Sequence, residues 1–259
     1  MKRRDFLAAS CAAGLAPLGA SAASAASAAA KKELYDLRLY QVASAEKKAT
    51  LLDYLAKAAV PAWNRLGIRP VGIFEPLEGE GYDLWVLLPH ASCESLLTLG
   101  ARLMADAAFV QAAAAVLDAP MNDPVYDRIE SSLLVAFDGV PKIELPTNKP
   151  TRVFQLRIYE SHNLAKAQKK IEMFNSGGEL EIFRRVGMPP VFFGEALAGP
   201  RLPNLTYMLG FDDRAAMDAG WKAFLADPAW AKLKADPQYA DTVSNITNIL
   251  LKPADGSQV

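Results

Sequence analysis

The stretch Leu37-Arg38-Leu39-Tyr40 returns later in the chain as Leu156-Arg157-Ile158-Tyr159. Two more pairs of segments keep the same order, Leu66–Val71 with Val186–Val191 and Ala105–Phe109 with Ala226–Trp230. The offset is about 120 residues in every pair, which is the length of a domain and far longer than a solenoid unit. The sequence therefore predicts one module that has been duplicated.

Each copy reads as strand, helix, strand, strand, helix, strand. Alternating apolar residues predict strands over 33–40, 70–75, 82–88 and 131–137 in the first copy, and over 152–159, 190–194, 205–211 and 246–251 in the second. Helical spacing predicts a helix over Glu46–Leu66, which Gly67 ends and Pro61 bends or closes. The matching helical region Leu164–Arg185 is interrupted at Ser176-Gly177-Gly178.

This order of elements is the ferredoxin-like split βαβ pattern, with helices on one face of a four-stranded sheet. The bare face of each sheet must be buried, and the other copy is the obvious cover. The predicted fold is therefore α+β, with two ferredoxin-like modules closing into a barrel-type pseudo-dimer within one chain. The predicted divisions are a leader at 1–30, a first domain at 31–138, a linker at 139–150 and a second domain at 151–259.

The first thirty residues read as a targeting segment. A twin arginine in Lys2–Leu7 precedes a weakly apolar run over Ala8–Leu18 and a small-residue tail that ends near Ala30. This arrangement predicts a bacterial twin-arginine (Tat) signal and a periplasmic location, with an ordinary Sec signal as the alternative.

Composition narrows the classes of function. Removal of 1–30 would move the formal charge from -1 to about -3, which is no nucleic-acid footprint. After the leader, no stretch approaches the roughly 20 apolar residues of a membrane span, so no stable membrane insertion is expected. Cys93 alone can form neither an internal disulfide nor a cysteine zinc site, and two histidines argue against a metal centre.

Longer stretches of the second half carry a family resemblance. They are Asn163–Asn175, Ile182–Gly187, Pro190–Glu195, Gly199–Met208 and Asp227–Trp230. In these segments the chain closely resembles the NIPSNAP family, in its bacterial, exported form with tandem domains. The resemblance implies a dimeric α/β-barrel fold and no established reaction. Relatives of that fold include cofactor-independent monooxygenases and haem-binding enzymes, although fold kinship alone does not carry function.

The repeated arginine and tyrosine are the most suggestive candidate site. If the second face of each first strand points between the two sheets, Arg38, Tyr40, Arg157 and Tyr159 meet in a central cleft. Two arginines there would bind a carboxylate or another anion, and the tyrosines would orient it. The alternative is an internal network, for example Arg38 with Asp36 or Glu75, because a buried arginine needs a partner.

Other candidate residues lie outside this set. His162 follows a strand and is a candidate haem ligand or general base, or else a helix cap. Glu195 and Glu75 occupy matching positions as a candidate acid–base pair, whereas His90 reads as a surface residue. The segment Gly199–Pro203 is expected to be a rigid loop that forms a lip over the cleft.

The sequence thus predicts an exported protein that binds a small anionic or aromatic ligand between its two sheets, with no cofactor, haem being the alternative. A cofactor-independent monooxygenase or isomerase and a protein-interaction module are the other expectations. A homo-oligomer is also left open.

Overall fold

The computed structural model describes residues 31–259, so the predicted leader lies outside the described residues. The strands are β1 (Leu34–Gln41), β2 (Gly72–Pro76), β3 (Leu84–His90), β4 (Arg128–Ala136), β5 (Val153–Glu160), β6 (Pro190–Ala198), β7 (Asn204–Phe211) and β8 (Asn245–Pro253). The helices are α1 (Ala45–Tyr54), α2 (Val60–Arg65), α3 (Cys93–Leu97), α4 (Leu99–Met104), α5 (Ala107–Ala112), α6 (Ala114–Leu117), α7 (Leu164–Phe174), α8 (Glu179–Arg185), α9 (Arg214–Ala226) and α10 (Pro228–Lys234).

The strands form one closed barrel in the order β1-β3-β2-β8-β5-β7-β6-β4. Each module contributes four neighbouring strands, and the two joins are the antiparallel pairs β2–β8 and β4–β6. Closure leaves no unpaired sheet edge, which removes the main aggregation hazard of a β protein. The predicted α+β fold, two modules closed into one barrel, is confirmed.

The first helical region runs from Ala45 to Arg65 with a π-helical turn at Leu55–Ala59. Pro61 lies just after that turn and cannot donate the hydrogen bond that an α-helix requires, so the wider turn accommodates the missing donor. Gly67 follows with a positive φ of 81°, which glycine adopts without a steric penalty. The predicted helix and its predicted end are confirmed.

The barrel interior is an apolar core made by both modules. Tyr35 of β1 packs against Phe192 of β6, with ring centroids 5.2 Å apart, and Phe74 of β2 packs against Phe154 of β5 at 5.0 Å. Further members of this core are Leu37, Leu87, Leu134, Leu156, Met208 and Leu251. The odd-numbered side chains of β1 therefore point into the barrel.

This orientation contradicts the predicted placement of the polar strand residues. Tyr40 belongs to the core beneath the helices of the first module, and the Arg38 guanidinium lies over the ring of Trp63 in α2. Tyr159 likewise lies in the helix-side core of the second module, and Arg157 over Trp221 of α9. The prediction was wrong because a closed barrel buries both faces of its sheet, and the more apolar face fills the interior.

Candidate functional site

A cavity of about 350 Å³ lies at one end of the barrel interior. Apolar side chains from four strands form one part of its lining: Leu37, Leu39, Trp85, Ile158 and Ile249. Polar groups form the other part: Asp83, Glu130, Ser132, Asn204, Thr206 and Thr247. The arrangement of an apolar surface with a few converging polar groups is typical of small-molecule sites.

Side-chain size explains why the cavity occupies this end. The middle and the opposite end of the interior hold bulky residues such as Tyr35, Phe74 and Phe192. Along β4, β7 and β8 the corresponding positions nearer the cavity are the small polar residues Ser132, Thr206 and Thr247. Small residues cannot fill the cross-section of an eight-stranded barrel, so space remains between the sheets.

The loop between β6 and β7 forms the lip predicted from the sequence. The amide of Asn204 donates to the carbonyl oxygens of Pro200 (3.1 Å) and Arg201 (3.2 Å), and so fixes the loop from within the barrel. Gly199 approaches β4 so closely that a Cβ would lie 2.8 Å from the Ser132 hydroxyl oxygen. Pro200 and Arg201 both line the cavity.

The ionisable groups at the cavity are mostly acidic. Glu78, Asp83 and Glu130 contribute carboxylates, against the single guanidinium of Arg201. Arg201 donates to the Thr247 hydroxyl oxygen at 2.8 Å, and the Glu130 carboxylate accepts from the Gln41 amide at 2.8 Å. The electrostatics at this mouth therefore disfavour a negatively charged ligand.

The predicted internal network exists around Arg38. Its guanidinium contacts the Asp36 carboxylate at 2.8 Å through Nε and at 2.6 Å through a terminal nitrogen. The Ser131 hydroxyl donates to the same carboxylate at 2.6 Å. The partner is Asp36 and not Glu75, which lies 2.8 Å from Lys48 of α1.

In the second module the predicted site residues Arg157 and Tyr159 have different surroundings. The Tyr207 hydroxyl donates to the Tyr159 hydroxyl at 3.0 Å, and burial raises the pKa of both phenols. The Arg157 guanidinium lies 4.7 Å from the Trp221 ring centroid and 5.4 Å from that of Tyr159. Neither Arg157 nor Tyr159 lines the cavity.

The remaining candidates also lie away from the cavity. His162 is exposed, and the cap of α7 is Asn163, whose side-chain oxygen accepts from the Lys166 backbone amide at 2.9 Å. Glu195 is on the helix side and accepts from Gln168 of α7 at 2.5 Å. His90 is fully buried, which corrects its prediction as a surface residue, and burial lowers its pKa.

Haem does not fit the residues at the cavity. The side chains that hold haem iron in proteins are His, Cys, Met and Tyr, and none of these types lines it. Over residues 31–259, no group of three or more His, Cys, Asp or Glu side chains is arranged to hold a metal ion. In the same range, no helix is both long enough and apolar enough to cross a membrane.

The cavity residues were missed because the interior face was assigned wrongly. A signal was present in β7, where Asn204 and Thr206 are polar at alternate positions between apolar residues. In a strand that is otherwise apolar, such period-two polar residues at one end indicate a more polar end of the barrel interior.

The fold and the cavity define an α+β protein of the dimeric α/β-barrel class, with both halves of the dimer in one chain. The family model described as NIPSNAP matches the chain twice, over residues 35–137 and 154–258. The chain belongs to the NIPSNAP family.

Solved structures share the fold at low sequence identity. A proposed monooxygenase from Lactobacillus acidophilus NCFM is 12% identical with a TM-score of 0.58, over 86% of this chain and 94% of that one. A second proposed monooxygenase, from Fusobacterium nucleatum, is 8% identical with a TM-score of 0.56, over 86% and 93%. An anthrone oxidase-like protein is 10% identical with a TM-score of 0.52, over 87% and 93%. No curated protein sequence matches the chain.

Proposed function

We propose that this protein binds a small aromatic or otherwise largely apolar molecule in the cavity at one end of the barrel interior, called here the barrel-mouth cavity. The observation that carries the proposal is the cavity of about 350 Å³, which is lined by apolar and polar side chains together and bordered by the loop that Asn204 holds. That volume lies within the usual range for small-molecule pockets, about 300–1,000 Å³.

The polar groups narrow the chemistry of the ligand. Carboxylate and hydroxyl oxygens of Glu130, Ser132 and Thr206 can accept hydrogen bonds from a ligand hydroxyl or amine. An anionic ligand is less suitable, because the repeated arginines that suggested it lie beneath the helices. An uncharged phenol or indole combines the apolar surface and the hydrogen-bond donor that this site would accept.

A cavity-filling variant tests the proposal. Ile158→Phe adds volume inside the cavity, whereas Leu197→Phe adds the same ring type at an exposed position of β6. In titrations with phenol and indole, monitored by calorimetry, we expect saturable binding to the wild type and to Leu197→Phe, and strongly weakened binding to Ile158→Phe. Equal binding by all three proteins, or none by any, would contradict the proposal.

Catalysis by a cofactor-independent monooxygenase or isomerase is the second candidate. Its support is the Glu130 carboxylate at the cavity, a candidate base for a phenolic proton, together with the fold shared with proposed monooxygenases. Oxygen uptake with phenolic compounds, compared between wild type and Glu130→Gln, tests it. An absence of oxygen uptake by the wild type would contradict catalysis and leave ligand binding as the proposed function. A Soret band in the natively purified protein would instead support the haem alternative.

Export through the twin-arginine pathway is proposed from the sequence of the leader. Replacement of Arg3 and Arg4 by lysine is expected to keep the protein in the cytoplasm, as measured by fractionation. Unchanged export of that variant would favour the Sec alternative.

A further inference from the structure

The two copies keep the same arginine and differ in its partner. Arg38 and Arg157 occupy the same position of the first strand in each module, and each has a neighbour two residues earlier on the same face. That neighbour is Asp36 in the first copy and Gln155 in the second. The duplication therefore provides an internal comparison in which a single carboxylate has been replaced by an amide.

In the first copy the carboxylate completes a closed network. Asp36 is buried, and it receives two guanidinium contacts from Arg38 and the hydroxyl hydrogen bond from Ser131 on β4. The positive charge of Arg38 is thereby neutralised within the module.

In the second copy the amide of Gln155 is used otherwise. Its oxygen accepts from the Trp221 indole N–H at 2.6 Å, and its nitrogen donates to the Asn248 side-chain oxygen at 2.8 Å. Asn248 pairs with Arg157 across β5 and β8, as Ser131 pairs with Arg38 across β1 and β4. Gln155 therefore holds the surroundings of Arg157 in place without neutralising it.

The Arg157 guanidinium has no ion-pair partner among residues 31–259, and its buried Nε has no hydrogen-bond acceptor there. Glu179, a buried carboxylate of the same module, lies 2.7 Å from Lys170, and the Arg157 charge also lowers its pKa, so two cations share one carboxylate. Because Nε is shielded from solvent, a ligand would contact the terminal nitrogens of the guanidinium, which carry its remaining donors.

The site is open to solvent on one side. Arg157 is partly exposed and Asn248 is exposed, so an ion can reach the guanidinium over the outer face of β8. Because the Asn248 oxygen is engaged by Gln155, its amide nitrogen is left to donate outward. Trp221 is partly exposed, so the part of its ring that the guanidinium does not cover offers an apolar surface to the rest of a ligand.

We infer that Arg157, Asn248 and Trp221 form a second ligand site, on the helix side of the second module, which binds a small carboxylate. A carboxylate accepts a bidentate pair of hydrogen bonds from a guanidinium, which matches its planar geometry. Attachment of that carboxylate to a ring or a short apolar chain would allow packing against Trp221. This site is separate from the barrel-mouth cavity and does not depend on its occupancy.

Two variants test this inference without removal of the arginine. Gln155→Glu is isosteric and places a carboxylate beside Arg157, and Gln155→Asp reproduces the residue of the first copy. With benzoate and acetate as probes at constant ionic strength, we expect saturable quenching of tryptophan emission and a rise in Tm for the wild type. In both variants the introduced carboxylate takes the hydrogen bonds of the Arg157 guanidinium. Benzoate should therefore bind about tenfold to a hundredfold more weakly than it binds to the wild type.

Controls assign the signal. Arg201→Gln removes the arginine of the barrel mouth and should bind benzoate as the wild type does, whereas Trp221→Phe should abolish the emission change. The inference is overturned if the Gln155 variants, folded by circular dichroism, bind benzoate like the wild type. It is equally overturned if the wild type shows no benzoate-specific response relative to chloride.

Discussion

At the residue scale, the buried ion pair of the second module shows most clearly how charge is accommodated in this fold. The Lys170 ammonium lies 2.7 Å from the Glu179 carboxylate, with side-chain exposures of only 5% and 2%. The same ammonium lies 4.4 Å from the Phe174 ring centroid. Burial raises the pKa of Glu179, and the Lys170 charge opposes that rise. Each charge is therefore tolerated because the other is present.

Removal of one partner should be far more damaging than removal of both. Lys170→Met leaves Glu179 buried and unpaired, so we expect the free energy of unfolding to fall by about 3–5 kcal/mol. The double variant Lys170→Met/Glu179→Leu replaces the pair with apolar volume and should recover most of that loss. Urea denaturation measures both, and equal losses in the single and double variants would show that the pair is not coupled.

His90 gives the stability of the first module a dependence on pH. Its ring is buried with Nδ1 3.0 Å from the Ser95 hydroxyl, and burial lowers its pKa below the ordinary 6.5. The neighbouring Arg38 charge also lowers this pKa, and Asp36 acts in the opposite direction. Because the unfolded chain binds the proton more readily, stability falls as the pH drops below 6.5 towards the folded pKa.

The variant His90→Asn removes this titration. We expect the excess stability of the wild type over His90→Asn to decrease as the pH is lowered from about 7 to 5, by up to about 1.4 kcal/mol per pH unit. A pH-independent difference for His90→Asn would contradict the proposed role of burial.

The residue scale is also where prediction from sequence failed. Arg38 and Asp36 were correctly placed on one face of β1, because alternation along a strand is a local property. Which face of β1 meets the helices depends on packing against the other module, about 120 residues away, and the alternation within β1 alone does not report it. His90 was misjudged for the same reason, since tertiary packing covers it.

At the element scale, most boundaries follow from local chemistry and were predictable. The break at Gly177-Gly178 is such a case: Gly178 has a φ of 92°, and a Cβ on Gly177 would lie 2.6 Å from the Met173 carbonyl oxygen. The π-helical turn at Leu55–Ala59 was not predicted. Pro61 indicates that the helix is bent or ends nearby, but it does not specify a π-helical turn.

The two helix-ending glycines offer a matched element-scale test. Gly67 and Gly187 both have a φ of 81°, and a Cβ at either would meet no atom within 4 Å. Gly67→Ala and Gly187→Ala should therefore each cost only the backbone penalty, about 1–2 kcal/mol. Gly100→Ala, within α4 and equally free of contacts, should instead stabilise by about 0.5–1 kcal/mol. Thermal unfolding of the three variants decides, and similar losses at all three sites would refute the conformational argument.

At the scale of the whole molecule, the duplication was enough to predict closure of the barrel. Each module has one bare sheet face to bury, and the two modules can cover these faces by closing on each other. The strand pairs β2–β8 and β4–β6 join them into the closed barrel. The position of the cavity could not be predicted in the same way, since it depends on which side chains of eight strands meet at one level. A ligand site between the two sheets therefore depends on the space that Leu39, Ile158 and Ile249 leave at this end of the interior.

The most direct measurement is methyl NMR of the isotopically labelled protein during titration with phenol. We expect the methyl signals of Ile158 and Ile249, which line the cavity, to shift in a saturable way as the phenol concentration rises. The signals of Leu51 in α1 and Leu55 in the π-helical turn, which belong to the helix-side core of the first module, should remain unchanged. Shifts confined to Leu51 and Leu55, or no shift at Ile158 and Ile249, would contradict a ligand site between the two sheets.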